Sequence, residues 1–347
     1  MKNIYNYTVK QLEEYFINMG QKKFKATQVF EWLYQKRVAS FEEMSNIKKE
    51  VIDKLNEDFC MTNLKMITKQ EDIDVCKYLF QLEDNNEIEA VLMKHDYGNS
   101  LCVSSQVGCN MGCTFCESGR LKKVRNLETY EMVLQLLQVE KDLNIRISHL
   151  VLMGIGEPFD NYDNIINFID IINTPKGIAL GSRHITVSTC GIIPRIQDFI
   201  ENGKQVNLAI SLHASNNELR DKLMPINKVY DLSSLMAVIQ EYIKKTNRRV
   251  TFEYILLKGI NDGRQNALEL ARLLKGMNCY VNLIPYNETS HIEYKKSDQK
   301  TILDFFDTLK KNKINVTIRR EFGKNVSAAC GQLRAKHKEE KQWKMHI

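Results

Sequence analysis

The sequence contains few prolines and no long apolar segment. Five prolines occur in 347 residues, and no low-complexity linker separates one part of the chain from another. No run of eighteen or more apolar residues is present, so we expect no membrane-spanning helix. The first residues, MKNIYNYTVKQLEEYF, lack the apolar core of a signal peptide, and we therefore expect a cytoplasmic protein.

Neither sign of charge dominates the sequence. The 49 Lys and Arg residues exceed the 43 Asp and Glu residues by enough to give a net charge of +6. This small excess permits a polyanionic partner without requiring one. Basic runs at 119–126, 318–320 and 334–344 lie close in sequence to the candidate site residues described below, and they favour a nucleic-acid partner.

Three of the nine cysteines lie within eight residues of each other. Cys109, Cys113 and Cys116 have a three-then-two spacing, and Phe115 precedes the last of them. Structural zinc sites use four protein ligands and ferredoxin-type clusters normally use four thiolates, so this set is one ligand short. Three thiolates leave one iron of a [4Fe–4S] cluster open to S-adenosylmethionine. The alternatives are a zinc site completed by a distant ligand, and buried thiols without a metal.

The periodicity of the chain divides it into four segments. Residues 1–75 show helical spacing and predict a small helical accessory domain that contacts RNA. Residues 76–94 predict a β-meander connector, and residues 95–325 predict a core barrel. Residues 326–347 form a C-terminal segment. Because no linker separates these parts, we expect the helical segment to dock on the barrel.

From about residue 145 the sequence repeats a pattern of strand, loop and helix. Apolar runs predict buried parallel strands at 148–153, 184–189, 206–211, 249–256, 280–285 and 315–319. Repeated βα units form a parallel sheet whose functional loops follow the carboxyl ends of the strands. The number of units suits a partial (β/α)6 barrel better than a closed barrel of eight. The sequence thus predicts an α/β fold, a partial barrel with a helical accessory domain.

The loop MGIGEP follows the first of these strands. Its glycines, Gly156 among them, let the backbone approach a ligand closely, and Glu157 offers a carboxylate to an ammonium group. Glycine-rich strand ends are common in βα folds, so the loop alone is a weak signal. Because it follows the cysteine motif by forty residues, it resembles the glycine-rich motif with which the radical S-adenosylmethionine superfamily holds the methionine end of the cofactor.

Polar residues also follow the other strands of the predicted barrel. They are Ser188 in HITVST, the group Ser211, Leu212 and His213 in ISLHA, and Asn287 in LIPYN. Each polar side chain alone could be a satisfied core group. Because the carboxyl ends of parallel strands meet at one edge, we predict that together they contact the cofactor.

Two isolated cysteines stand apart from the other thiols. Cys102 lies on the strand that leads to the cysteine motif, and Cys330 follows the last predicted strand in AACGQLR. A lone cysteine is usually a small buried apolar residue. A barrel would bring these two cysteines towards the same opening, where their thiols could react as nucleophiles with an electrophilic methyl donor.

The motifs together resemble one known family. In chain order they are LCVSSQVGC, the cysteine motif, RNL, MGIGEP, RHITVST, ISLHA, LMPIN, VNLIPYN, TIRRE and ACGQLR. This series resembles the RlmN family of dual-specificity RNA methyltransferases, within the radical S-adenosylmethionine superfamily, and is similar to its relative Cfr. GEP, HITVST and TIRRE look more like RlmN. Glu117 is a departure, since family members more often have a small residue there.

The resemblance implies a reaction and a set of partners. The substrate would be one adenosine in the peptidyl-transferase region of 23S rRNA, methylated at carbon 2 in RlmN or at carbon 8 in Cfr. A tRNA adenosine beside the anticodon is a possible second substrate. The implied cofactors are one [4Fe–4S] cluster per chain and two S-adenosylmethionine molecules per turnover. The implied electron donor is a flavodoxin or ferredoxin, and we expect a monomer that does not contact a membrane.

The resemblance also implies roles for three residues. Cys330 would carry the methyl group, and Glu89 would accept the proton that leaves the adenine ring. Cys102 would then form a disulfide with Cys330 and release the methylated RNA.

Two other interpretations remain open from the residues alone. A non-catalytic iron–sulfur or zinc RNA-binding protein would need the cysteine motif but would have no use for Glu157, Cys102 and Cys330. A radical activase would bind a glycyl protein instead of RNA, and the basic runs and the C-terminal cysteine argue against it.

Overall fold

The computed structural model describes residues 1–120, 122–320 and 331–337, so Cys330 lies outside the described residues. Its helices are α1 (Val9–Asn18), α2 (Phe24–Glu31), α3 (Lys49–Asp58), α4 (Glu117–Arg120), α5 (Thr129–Leu143), α6 (Tyr162–Asn173), α7 (Ile193–Asn202), α8 (Asn217–Leu223), α9 (Leu232–Thr246), α10 (Arg264–Leu273) and α11 (Gln299–Lys311). Residues 332–337 are also helical.

The strands are β1 (Lys2–Asn3), β2 (Phe59–Cys60), β3 (Lys65–Glu71), β4 (Val75–Gln81), β5 (Glu87–His95), β6 (Gly98–Val103), β7 (Gln106–Val107), β8 (Arg125–Asn126), β9 (His149–Leu152), β10 (Ile185–Thr189), β11 (Asn207–Ser211), β12 (Val250–Leu256), β13 (Cys279–Pro285) and β14 (Val316–Ile318). Short pairs form between β1 and β2 and between β7 and β8.

Ten strands form one sheet in the order β14-β13-β12-β11-β10-β9-β6-β5-β4-β3. From β6 to β14 all neighbours run parallel, whereas β3, β4, β5 and β6 form an antiparallel meander. Six helical connections join the seven parallel strands β6, β9, β10, β11, β12, β13 and β14. The predicted α/β architecture with a partial (β/α)6 barrel is therefore confirmed, as are the six predicted parallel strands.

Burial alternates along the strands, so that one set of side chains packs in the core and the other set faces the cavity. In β13, Cys279, Val281 and Leu283 are buried, and the residues between them, such as Asn282, are only partly buried. A strand places successive side chains on opposite faces of its sheet. The buried set packs into the main hydrophobic core with the surrounding helices. The other set lies on the opposite face of the sheet, where a ligand can reach polar side chains.

The N-terminal helices pack on the barrel at α5. The Asn6 side chain accepts a hydrogen bond from the backbone N–H of Tyr130 at 2.8 Å and donates one to Glu128 at 2.8 Å. Arg37 forms an ion pair with the buried Glu140. The apolar residues of this region belong to the same hydrophobic core as the strands of the barrel. The segment thus docks on the barrel, as the lack of a linker led us to expect.

The N-terminal region differs from the prediction in three strands, since residues 1–75 were expected to be helical. The strands β1 and β2 are two residues long, and Lys65–Glu71 forms the edge strand β3 of the sheet. The strand pairs with β4 across a register shift between Met66 and Thr68. The boundaries of the domains stay a prediction. No described helix is long and apolar enough to cross a membrane.

Candidate active site

A cavity of about 340 Å³ is lined by the carboxyl ends of the parallel strands and the loops that follow them. The predicted site residues that line it are Glu89, Cys102, Cys109, Cys113, Cys116, Gly156, Glu157, Ser188, Ser211, His213 and Asn287. Residues from distant parts of the sequence are brought together because parallel strands end at one edge of the sheet. Leu212 differs from this set: its side chain is fully buried in the core and does not line the cavity.

The three cysteines of the motif share one wall of the cavity. Cys109, Cys113 and Cys116 all line it, and none forms a disulfide. Burial raises the pKa of Cys109 to about 12 and raises the pKa of Cys113 and Cys116 as well. Such thiols stay protonated unless a cation compensates the thiolates. Three of them on one wall therefore favour a metal centre that supplies positive charge.

This wall suits a cluster better than a single metal ion. Within residues 1–120, 122–320 and 331–337, no group of three or more His, Cys, Asp and Glu side chains is placed to hold one ion. A [4Fe–4S] cluster needs no such convergence, because each thiolate binds a different iron. Cys109, Cys113 and Cys116 therefore offer one thiol to each of three irons of a cluster and leave the fourth iron open.

The Gly156–Glu157 loop is shaped by close backbone contacts. Gly156 has a φ of +115°, and a Cβ there would lie 2.7 Å from Ser105 Oγ, so no other residue fits without rearrangement. The two carboxylate oxygens of Glu157 accept hydrogen bonds from the N–H groups of Phe159 at 3.0 Å and Cys190 at 2.8 Å. Burial nevertheless raises the pKa of Glu157. Glu157 lines the cavity, so its carboxylate can bind an ammonium group there.

His213 is a fixed hydrogen-bond donor beside the cysteine wall. Its Nδ1 accepts the backbone N–H of Ile255 at 3.1 Å, so the ring proton of the neutral imidazole lies on Nε2. Burial, assisted by the charge of Arg220, lowers the pKa of His213 to about 3 and keeps the ring neutral. The ring also packs edge-on against Phe115 of the cysteine motif, with centroids 4.9 Å apart.

Hydroxyl and amide groups complete this part of the cavity. The Oγ atoms of Ser188 and Ser211 lie 3.5 Å apart at the ends of β10 and β11. Asn287 lines the cavity just after β13. Neighbouring hydroxyls of this kind can bind a diol such as a ribose, and a side-chain amide both donates and accepts hydrogen bonds. These groups can therefore orient a nucleoside-like cofactor beside the cysteine wall.

Glu89 connects the cavity to the C-terminal segment. Its carboxylate forms an ion pair with Lys77 at 3.1 Å, and both side chains are almost completely buried. It also accepts hydrogen bonds from the backbone N–H groups of Gly331 at 2.8 Å and Arg334 at 2.7 Å. Gly331 directly follows Cys330 in the chain. The predicted proton acceptor thus holds the residue next to the predicted methyl carrier.

Gly331 also lies against the residue pair that follows Cys116. Its φ is +80°, and a Cβ there would lie 2.9 Å from Ser118 Oγ and 3.4 Å from Glu117 Cβ. Glu117, the residue that departs from the family pattern, is buried and contacts Arg120 and His291, both at 3.2 Å. Glu117 therefore binds protein side chains beside the cysteine motif.

Cys102 borders the cavity instead of bulk solvent. It lies on β6, where it pairs with Val91 of β5 and Val151 of β9. Burial raises the pKa of Cys102 to about 11, and the positive charge of Arg319 opposes this rise. A thiol in this position reacts slowly until a neighbouring charge or a bound substrate favours the thiolate.

Four charged residues that line the cavity were given no role in the site by the sequence analysis. They are Lys77, Glu253, Arg319 and Arg320. Lys77 and Glu253 interrupt the apolar strand segments VCKYLF and VTFEYIL, and a charge within such a segment is a signal that could have identified them. Arg319 belongs to TIRRE, which contributed to the family resemblance without an assigned role.

Comparisons with known proteins agree with this site. The family model "Radical SAM superfamily" matches residues 103–271. The solved structure of a radical SAM methyltransferase from Sphaerobacter thermophilus superposes with a TM-score of 0.89 at 37% identity, covering 96% of this chain and 99% of that chain. The fold and the cysteine-lined cavity define a radical S-adenosylmethionine enzyme, a class that uses a [4Fe–4S] cluster and S-adenosylmethionine.

The particular family follows from closer relatives. The model "Ribosomal RNA large subunit methyltransferase N-terminal domain" matches residues 2–61. A protein of Listeria monocytogenes is 56% identical over 343 residues, covering 96% of this chain and 94% of the relative. One of Spiroplasma citri is 53% identical over 341 residues, covering 97% and 98%. Both are called "Probable dual-specificity RNA methyltransferase RlmN". The chain belongs to the RlmN family of radical S-adenosylmethionine RNA methyltransferases.

Proposed function

We propose that this enzyme methylates carbon 2 of one adenosine in the peptidyl-transferase region of 23S rRNA. The methyl group would pass through a methylated cysteine, Cys330. The observation that carries the proposal is the position of Glu89, whose carboxylate lines the cavity with Cys102 and binds the backbone next to Cys330. The dual-specificity name of the relatives supports a second RNA substrate, which we propose is a tRNA adenosine beside the anticodon.

The first step methylates the carrier cysteine, Cys330. The Cys330 thiolate attacks the methyl carbon of one S-adenosylmethionine, and the sulfonium sulfur leaves with the electron pair of the broken bond. When bound to Cys109, Cys113 and Cys116, a [4Fe–4S] cluster supplies the electron that turns a second S-adenosylmethionine into a carbon radical able to remove a hydrogen atom from the methylated cysteine. The proposed contacts of the cofactor are Gly156, Glu157, Ser188, Ser211, Leu212, His213 and Asn287.

Three residues of the chain complete the transfer. Cys330, through its methyl carbon, becomes bonded to the adenine ring. Glu89 accepts the proton that the ring carbon gives up, and the electron pair of that C–H bond stays in the ring. The one unpaired electron left by the radical addition would return to the oxidised cluster that the cysteine motif would hold. The Cys102 thiolate then attacks the Cys330 sulfur. A disulfide forms, the carbon–sulfur bond breaks with its pair on carbon, and that carbon takes up a proton to become the methyl group.

The substrate and the electron source complete the proposal. The target base must leave its stack to enter the cavity, as in other enzymes that modify a base. We propose that a flavodoxin or ferredoxin delivers the electron and that the enzyme works as a monomer in the cytoplasm.

Mass spectrometry of nucleosides tests the position of the methyl group. Ribosomal RNA from cells lacking the enzyme is incubated with cluster-loaded protein, S-adenosylmethionine and a reductant, and is then digested to nucleosides. The proposal predicts 2-methyladenosine. Formation of 8-methyladenosine instead would assign the Cfr reaction, and absence of any methylated adenosine would reject an rRNA substrate. A parallel digest of tRNA tests the second substrate.

A further inference from the structure

Glu253 is a buried carboxylate in the cavity that the proposed reaction does not use. It lies within β12 with 5% of its surface exposed and lines the cavity. The side-chain amide of Asn282, its neighbour on β13, donates a hydrogen bond of 2.8 Å to Oε2. Within the part of the chain that the structure describes, the other oxygen, Oε1, accepts no hydrogen bond and is not among the fully buried atoms that lack a partner. Because Glu253 lines the cavity, this oxygen is available to accept a hydrogen bond from a ligand there.

The surroundings of Glu253 offer no charge that neutralises it directly. Arg319 also lines the cavity, and its guanidinium lies 3.9 Å from Met93 Sδ. No carboxylate lies within 4.0 Å of that guanidinium among residues 1–120, 122–320 and 331–337. The positive charge of Arg319 acts on both Glu253 and Cys102 and opposes the effect of burial on the pKa of each. Glu253 therefore shares an electrostatic environment with the thiol proposed to release the product.

We propose that Glu253 is a specificity-determining residue that accepts a hydrogen bond from the exocyclic amino group of the target adenine. Adenine presents a donor at N6, where guanine presents the acceptor O6. A carboxylate oxygen held in place by Asn282 attracts the first and repels the second. Enzymes that work on an extruded base read it by hydrogen bonds to its edge. The inference rests on the proposed function, because it takes an adenosine of RNA as the substrate.

The competing ligand for Glu253 is the adenine of S-adenosylmethionine. Ser211, a proposed cofactor contact, pairs with Glu253 across β11 and β12. Glu253 and Cys102 line the same cavity together with Arg319, which favours the target base, since Cys102 acts where the base is modified. The experiment must therefore test both adenines.

The test compares two RNAs and two cofactors in binding measurements. A 23S rRNA fragment carries either adenosine or purine riboside, which lacks the amino group, at the target position. Fluorescence anisotropy measures the affinity of the cluster-loaded enzyme for each without turnover. The wild type should bind the adenosine RNA at least about tenfold more tightly, the contribution of a hydrogen bond to a charged acceptor. Glu253→Ala should bind both RNAs equally, and Glu253→Gln, which keeps an acceptor oxygen, should recover part of the preference.

Controls separate this role from a general loss of structure. Glu241→Ala, at an exposed carboxylate of α9 paired with Lys245, should discriminate as the wild type does. The visible absorbance of the cluster reports the folding of each variant. Equal discrimination by wild type and Glu253→Ala would overturn the proposal. The proposal would also be overturned if the wild type preferred S-adenosylmethionine to its deaminated analogue and Glu253→Ala lost that preference. Because binding is read without turnover, the result is independent of which ring carbon receives the methyl group.

Discussion

The carboxylate of Glu89 accepts a hydrogen bond of 2.8 Å from the backbone N–H of Gly331, a residue 242 positions further along the chain. The same carboxylate is paired with the buried Lys77. A charged acceptor binds an N–H about twice as strongly as a neutral one. The contact therefore holds the residue after Cys330 at the edge of the cavity and connects proton acceptance to the position of the carrier segment.

Glu89→Gln should loosen this segment. The variant keeps the size of the side chain but removes the charge that binds two N–H groups, and it breaks the buried ion pair with Lys77, which destabilises the site. Hydrogen exchange should show faster exchange of the Gly331 and Arg334 amides, together with a loss of methylation. Glu87→Gln is the matched control, since Glu87 on the same strand contacts His337. Unchanged exchange in Glu89→Gln would contradict this account of the contact.

The reactivity of Cys102 should depend on pH and on Arg319. The pKa of the thiol is raised to about 11, so the thiolate fraction, and with it the alkylation rate, should rise about tenfold per pH unit from pH 7 to 10. Arg319 lowers this pKa, so Arg319→Gln should raise it and slow alkylation at every pH below 11. Peptide-resolved mass spectrometry after iodoacetamide treatment measures the rate. In Arg320→Gln, at the exposed neighbour paired with Asp74, Cys102 should be alkylated at the wild-type rate. An equally slowed alkylation in Arg320→Gln would argue against a specific effect of Arg319.

The cysteine wall should hold about four irons and four sulfides per chain after anaerobic reconstitution. Cys109→Ala, Cys113→Ala and Cys116→Ala should each abolish the visible absorbance of the cluster. Cys279→Ala is the control, because Cys279 is buried on β13 away from the cavity and should leave the spectrum unchanged. Tight binding of one zinc with no cluster obtainable would disprove the iron–sulfur assignment.

The start of α2 should contribute to RNA binding. Lys22, Lys23 and Lys25 lie around Phe24, whose side chain is 49% exposed, and Lys25 Nζ lies 5.4 Å from its ring centroid. Reversing the three charges should weaken RNA binding and flatten its salt dependence, because fewer phosphate counterions are released. Titrations at several salt concentrations measure both effects. Lys300→Glu, at an 87% exposed side chain of α11, should change neither. Normal RNA binding by the triple variant would leave these residues with a structural role only.

The strands and the cavity edge could be predicted because their signals are local. Buried parallel strands appear as short apolar runs, and the polar residues that end them meet at one edge by topology. β3 was missed because KMITKQE lies at the edge of the sheet, has no buried residue and shows little alternation. The side chain of Leu212 lies in the core, and a contact of this residue with the cofactor stays a prediction.

The contacts within the site could not be predicted from local pattern. The bond between Glu89 and Gly331 joins opposite ends of the chain, and the bond between Asn282 and Glu253 depends on the register of two strands. Such pairs follow from tertiary packing, which neither periodicity nor spacing encodes.

Trapping of the protein–RNA intermediate tests the central claim most directly. Cys330→Ala has no thiol to methylate, so it should form no covalent complex with RNA. Cys102→Ala should still carry the methyl group and bond to adenine, but it has no thiol to break that bond. Denaturing gels should then show a nuclease-sensitive mass shift for Cys102→Ala and none for Cys330→Ala or the double variant. Normal methylation by Cys102→Ala, with no trapped RNA, would contradict the account even if the cluster proved real.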